Sequence, residues 1–288
     1  MDLEDILKQL YPDANQKNCL SGIVSTMGNI LINSSSILRI KKVTPAGSLS
    51  RNTILRNHLE VDCVYILEHN NISFFGNFSE VLRVLRANLP GTDFKTTKHS
   101  ITFKLKRPIG VIPVNLLPAF EINSPKQINL VKNKDVYYGS TSLIQKKYFK
   151  NIVQHYSRFT DLVRLLKLWR NTQEIPLSSY MLELITSNAI DDTKPDQEFP
   201  FFLEVCFRTI QSFTDGREIV PVYWDKYIDD SDINWNPSIS GLLLVDPSDP
   251  SENLAVKITE NDKKLIRSEA TKGIIKIQNK DYNFLFKR

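Results

Sequence analysis

The stretch at 47–62, "GSLSRNTILRNHLEVD", decides how this chain is read. It opens on Gly-Ser, passes through a polar turn and closes on an acid-x-acid triplet, Glu60-Val61-Asp62. The apolar run "VDCVYIL" at 61–67 follows, β-branched and aromatic, a buried strand by composition. Phosphate binding needs backbone N–H groups that oxygen can approach, and Gly47 removes the Cβ that would block them. Ser48 adds a hydroxyl donor. Carboxylates one residue apart on an extended chain point to the same face, and hard divalent cations prefer oxygen ligands. Glu60 and Asp62 are therefore candidate metal ligands beside a candidate phosphate turn. Each part alone is more often a surface turn or a solvated charge; their order and the strand behind them give the combination weight.

With 288 residues, the chain has room for one large domain or two smaller ones sharing a cleft. The formal charge of +5 permits nucleotide or nucleic-acid partners without demanding them. Clustering says more than the sum. Lys95, Lys98, Lys104, Lys106 and Arg107 form a run with no acid. A second basic stretch holds Lys146, Lys147, Lys150, Arg158, Arg164, Lys167 and Arg170 against Asp161 alone. Cys19, Cys63 and Cys206 are widely spaced, with no CxxC pair, which argues against a zinc ribbon or a disulfide scaffold. No apolar run is long enough for a membrane span, and the acidic, amphipathic start is unlike a signal peptide. A cytoplasmic, reducing setting is the expectation.

Hydrophobic spacing predicts helix over 3–33, interrupted at "YPDANQ", then strands at 36–46, 61–67, 100–107 and 110–120, with a helix at 79–89. Near 139 the texture changes. "GSTS" offers an N-cap, and Phe149, Ile152, Tyr156, Phe159, Val163, Leu166 and Trp169 predict one long helix. Further helices are predicted at 178–190 and 199–213, and strands at the C-terminal end, in "LAVKIT" and "GIIKIQNKDYNFLFKR". The expected fold class is α+β: one lobe at 1–140 with a mixed sheet and N-terminal helices, and a helical lobe at 141–288 whose terminal strands return toward the sheet. The active site is expected in the cleft between them.

The segment "GSLSRNTILRNHLEVDCVYIL" resembles the signature of the DNA polymerase β-like nucleotidyltransferases, in the branch of the 2′-5′-oligoadenylate synthases and cyclic GMP–AMP synthase. Gly47, Ser48, Thr53, Leu55, Glu60 and Asp62 align with that pattern without a gap. "LLPAFE", "LVRLLKLWRN", "LSSYMLELIT" and "DPSDPSENLA" resemble further family segments in the same order. The resemblance implies joining of nucleoside triphosphates with magnesium (or manganese). It gives metal ligation to Glu60 and Asp62, and nucleotide contacts to Gly47, Ser48, Thr53, Lys167, Ser179 and Tyr180.

The chain departs from the family at two places that matter: Glu60 stands where the oligoadenylate synthases carry Asp, with the same charge and a longer reach, and the third acid is missing. The third carboxylate, just before the Leu-Pro-Ala-Phe segment, is here Asn115. An amide oxygen can ligate a metal but carries no charge. Three accounts stand open: a relative that binds without catalysis, an enzyme with altered metal ligation, or a deliberate replacement of Asp. Glu121 lies nearby in sequence, with no geometric reason for a role. The leading reading is a synthase of nucleotide second messengers in immune-type signalling, impaired at Asn115. The alternative is a silent relative that binds double-stranded RNA or nucleotide through the basic faces. A tRNA-end or poly(A) transferase shares the catalytic lobe, but the later segments argue against it. Cysteines and histidines do not cluster, so no zinc insertion is expected, and the acidic run at 225–232 reads as a solvated loop.

Overall fold

The computed structural model describes residues 2–34, 39–67, 74–97, 100–120, 138–191, 193, 197–220, 238–247 and 249–286. Glu121, Lys98 and the acidic run at 225–232 lie outside them. In chain order the elements are α1 (Leu3–Leu10), α2 (Ala14–Ser34), β1 (Ile40–Pro45), α3 (Gly47–Ser50), β2 (Val61–Leu67), α4 (Phe74–Asn88), β3 (Lys95–Thr96), β4 (Ile101–Arg107), β5 (Gly110–Phe120), α5 (Tyr138–His155), α6 (Phe159–Gln173), α7 (Ser179–Asp191), α8 (Phe199–Thr214), β6 (Val245–Asp246), β7 (Asp249–Asn253) and α9 (Glu260–Gln278), followed by a 3-10 turn at Tyr282–Leu285. They divide into two units. Tyr11–Lys146 is one; Met1–Leu10 with Lys147–Arg288 is the other. The sequence reading placed the first helix in the catalytic lobe, whereas α1 counts with the C-terminal unit.

The Tyr11–Lys146 unit is built on a mixed five-stranded sheet in the order β1-β2-β5-β4-β3. Only β2 and β5 run parallel; the other neighbours are antiparallel. Period-two alternation sorts its residues cleanly. Val61, Cys63, Tyr65 and Leu67 of β2, Ile101, Phe103 and Leu105 of β4, and Ile112, Val114 and Leu116 of β5 share one core. Leu20, Ile23, Met27 and Leu31 of α2 and Val81, Val84 and Leu85 of α4 cover it, at the three- and four-residue steps of an amphipathic helix. Each such side chain contributes roughly 1.5–3 kcal/mol on burial, so this face carries the stability of the unit. The opposite face of the sheet is left for Asp62, Asn115 and their neighbours.

The C-terminal unit is helical. Trp169 of α6 meets Phe207 of α8 edge-on, with ring centroids 4.9 Å apart. Phe207 in turn lies so close to α9 that a Cβ on Gly273 would stand 2.7 Å from its ring. The predicted long helix is two helices. Its apolar face holds, but the chain turns between His155 and Phe159, where Arg158 pairs with Glu4 (2.8 Å) and Asp161 (3.2 Å) and stacks on Phe199. Residues 139–142 lie inside the first turn of α5, not at its cap. The terminal strands predicted from β-branched content are absent from the described residues. Gly273–Gln278 is helical, and β6 pairs with β7 in a separate two-stranded sheet. Ile266, Ala270, Ile274 and Ile277 recur at helical spacing, and Thr259 starts the helix through a capping box with Asp262.

Candidate active site

Glu60 immediately precedes β2 and Asp62 is its second residue, so both project from the face opposite the core. Asn115 stands level with Asp62 in the parallel pairing of β2 with β5. Its amide nitrogen donates to Glu60 Oε1 at 2.5 Å and to Asp62 Oδ1 at 2.8 Å. Carboxylates only accept, which fixes the orientation of the amide as nitrogen toward both. All three side chains are half-buried.

The Gly-Ser turn closes on the same point. The Ala46 N–H donates to the Asp62 carbonyl (2.8 Å), and Thr53 N–H donates to the Ser48 carbonyl (2.9 Å). Gly47 has φ +54°, and a Cβ there would overlap Asp62 Oδ2 outright, lying 2.8 Å from the carboxyl carbon. Glycine at 47 is thus required twice, by its backbone angle and by the carboxylate it faces. Asn52 takes φ +54°, a geometry Asn tolerates. Thr53 is fully buried, so it braces the turn from within. Behind the site, burial and then the Asp62 charge push the Cys63 thiol up to about 12, which leaves it protonated and inert.

A divalent ion seeks hard oxygens. Glu60 and Asp62 supply two carboxylates side by side, and this pair fits one such ion. A second ion needs charge from the third position, which Asn115 lacks. Its amide also presents nitrogen, so ligation through its oxygen requires the amide to turn. Among the described residues no three His, Cys, Asp or Glu side chains gather as a metal cluster.

Three predicted site residues lie in the other unit, where each is engaged. Lys167 is 3% exposed and pairs with Glu183 at 3.2 Å, itself fully buried. Ser179 Oγ accepts from Arg170 Nη1 (3.1 Å). Burial pushes the Arg170 guanidinium below its ordinary value and the Glu183 carboxylate pulls it back up. Tyr180 donates its hydroxyl to Asp246 Oδ1 (2.8 Å) and meets Phe149 edge-on. Sequence reasoning missed Glu183 and Asp246, and it read Arg170 only as one charge of a basic stretch. The available signal was charge inside apolar helices: Lys167 and Glu183 each sit in a Leu-rich run, where a lone charge needs a partner.

Comparison with known proteins agrees with this geometry. Residues 126–283 match the family described as 2′-5′-oligoadenylate synthetase 1, domain 2, C-terminus. The chain is 27% identical over 252 residues to the CBASS oligonucleotide cyclase CdnC of Escherichia coli (strain KTE188), covering 82% of this chain and 76% of the relative. It is 24% identical over 260 residues to the mouse 2′-5′-oligoadenylate synthase-like protein 1, covering 76% of this chain and 49% of that one. The solved structure of E. coli MS115-1 CdnC with ATP superposes with a TM-score of 0.76 at 19% identity, over 98% of this chain and 95% of that one. The Cid1 poly(U) polymerase, in its H336N mutant with MgATP, gives 0.69 at 14% identity, over 99% and 97%. The fold is that of the two-lobed, α+β nucleotidyltransferases. The paired carboxylates, the glycine turn and the matched C-terminal segment together place the chain in the 2′-5′-oligoadenylate synthetase family, within the branch that also holds cyclic GMP–AMP synthase and CdnC.

Proposed function

We propose that the chain joins ATP or GTP, with release of pyrophosphate, into an oligonucleotide messenger, and that Asn115 weakens this activity. The observation that carries the reading is the convergence of Glu60, Asp62 and Asn115 on the Gly47–Ser48 turn. Glu60 and Asp62 would hold magnesium or manganese, which supplies positive charge to the phosphates and lowers the pKa of an attacking hydroxyl. The turn at Gly47 offers backbone N–H groups to phosphate, and Ser48 its hydroxyl. Lys167, Ser179 and Tyr180 are assigned to the nucleotide by the family resemblance alone. The similarity to a CBASS cyclase supports a role in immune-type signalling, and a cytoplasmic setting accords with it. No helix among the described residues is long and apolar enough to cross a membrane.

A second reading has its own support. The Asn115 amide already donates a hydrogen bond to each carboxylate, without supplying the charge a cation would bring. A protein with such a site binds nucleotide or double-stranded RNA without turning nucleotide over.

The test is turnover of radiolabelled ATP and GTP with magnesium or manganese, with and without double-stranded RNA, for this chain beside Asn115→Asp. Product from the Asp variant alone, or in large excess over the parent, is the expected result. Binding without product in both moves the chain to the second reading. Neither product nor nucleotide binding in either protein overturns the synthase reading.

A further inference from the structure

Strand register places a row of unpaired lysines on the same sheet face as the carboxylates. Residues directly opposite each other on neighbouring strands share a face. Asp62 stands opposite Asn115, Asn115 opposite Thr102, and Thr102 opposite Lys95. One line across four strands therefore begins at the reacting pair and ends at a lysine. The next line is parallel to it: Lys104 stands opposite Pro113, at the level of Glu60, and Lys106 stands opposite Val111 one step further out. The alternate residues of β4 (Ile101, Phe103 and Leu105) are in the core, which confirms that Lys104 and Lys106 point the other way.

The site face is graded. Val64, Ile66 and Ala119 form a buried apolar patch at one end. Glu60, Asp62 and Asn115 come next, half-buried. Lys95, Lys104 and Lys106 occupy the other end, all exposed. Among the described residues none of these lysines makes an ion pair or a side-chain hydrogen bond, unlike Lys263, Lys272 and Lys276 of α9. Lys104 lies two strand spacings from the Glu60 position, about 10 Å, and Lys104 and Lys106 are about 7 Å apart along their strand.

We propose that Lys95, Lys104 and Lys106 form a phosphate track for a single-stranded oligonucleotide whose end lies at the Glu60–Asp62 pair. Fixed cations repeat along an open strand face and lead to a centre that reacts with nucleotides. Asn115 adds to the effect, because an uncharged third position repels an incoming polyanion less than a carboxylate would. The ligand class and the direction of the track rest on the proposed function; the row of lysines does not.

The test is fluorescence anisotropy of a labelled single-stranded oligoadenylate RNA, in chelator, over a salt series. The proteins are the full chain, the triple variant Lys95→Ala/Lys104→Ala/Lys106→Ala, the corresponding triple Lys→Arg variant, and an exposed control triple, Lys17→Ala/Lys257→Ala/Lys264→Ala. Three phosphate contacts to a single strand give a slope of about −2 in log K against log salt, an approximately twentyfold loss between about 50 and 200 mM. The site-face alanine triple is expected to lose that part of the slope, while the arginine and control triples keep it. Equal losses in both alanine triples, or no loss in either, overturn the track. So does duplex RNA that binds tighter than the single strand and loses as much with the site-face triple. Because chelator removes metal, the result does not depend on turnover. Nucleotide transfer by Asn115→Asp with an unaffected lysine triple sinks the track and leaves the synthase reading standing.

Discussion

Two polar clusters of this molecule solve the same electrostatic problem in opposite ways. In the Tyr11–Lys146 unit, two half-buried carboxylates are held together by a neutral amide, Asn115. In the C-terminal unit, Lys167 and Glu183 neutralise each other between two helices, almost without solvent. The first keeps net negative charge within reach of water and of a cation. The second is closed: each charge offsets part of the hydration the other has lost. Residues that a family pattern groups together as functional can thus differ in kind, some available to a ligand and some holding a frame.

That contrast can be broken at its closed end first. Glu183→Ala leaves the Lys167 ammonium buried without its partner and is expected to cost about 3–5 kcal/mol in urea unfolding. Lys167→Met with Glu183→Leu is expected to recover most of it; a single change costing next to nothing would show the pair is not closed. Gly47→Ala comes next, at about 2–4 kcal/mol, from left-handed backbone strain plus overlap with the Asp62 carboxylate. A tolerated alanine would mean the turn does not press on Asp62. Asn115→Asp sharpens the open end. Replacing a donor by a third carboxylate is expected to lower stability by about 1–2 kcal/mol in chelator, and magnesium restores it. The parent's melting temperature should move little with magnesium, and an equal shift in both proteins would remove the amide's special role.

The smallest effect lies far from both clusters. Thr259→Ala removes the α9 cap and costs about 1 kcal/mol near neutral pH. The Thr259 backbone N–H, then its hydroxyl, hold the Asp262 carboxyl below its usual range. A carboxyl depressed in the folded state adds stability above its unfolded pKa, and that share is lost as pH falls through the folded value. The gap between Thr259→Ala and the parent is therefore expected to narrow on acidification, as read by thermal unfolding across a pH series.

Much of the sheet was legible because burial there follows a period of two. "VDCVYIL" and "SITFKLKR" give their strands and faces directly, and Glu60 and Asp62 could be assigned to one face before any coordinates. What the sequence withheld was pairing. Nothing in residues 110–120 says that Asn115 stands beside Asp62 rather than one step away, because register is a property of two strands. The break between α5 and α6 was also hidden. No Gly or Pro marks it; Arg158 turns the chain by reaching Glu4, which is remote in sequence. At the C-terminal end β-branched residues outweighed a helical period that was present all along in Ile266, Ala270, Ile274 and Ile277. Lys167 illustrates the same limit: its type and position suggested phosphate, while its partner came from the next helix.

The level pairing of Asp62 with Asn115 also constrains how this chain can change length. A residue gained or lost in the turn between β4 and β5 can be absorbed locally. The same event between Gly110 and Asn115 would slide every later side chain to the opposite face, bringing Val114 or Leu116 opposite Asp62. Point substitutions at 115 leave the scaffold intact and reset only the charge. Insertions and deletions within that half-strand would destroy site and core together, so variation in this part of the chain is confined to replacement.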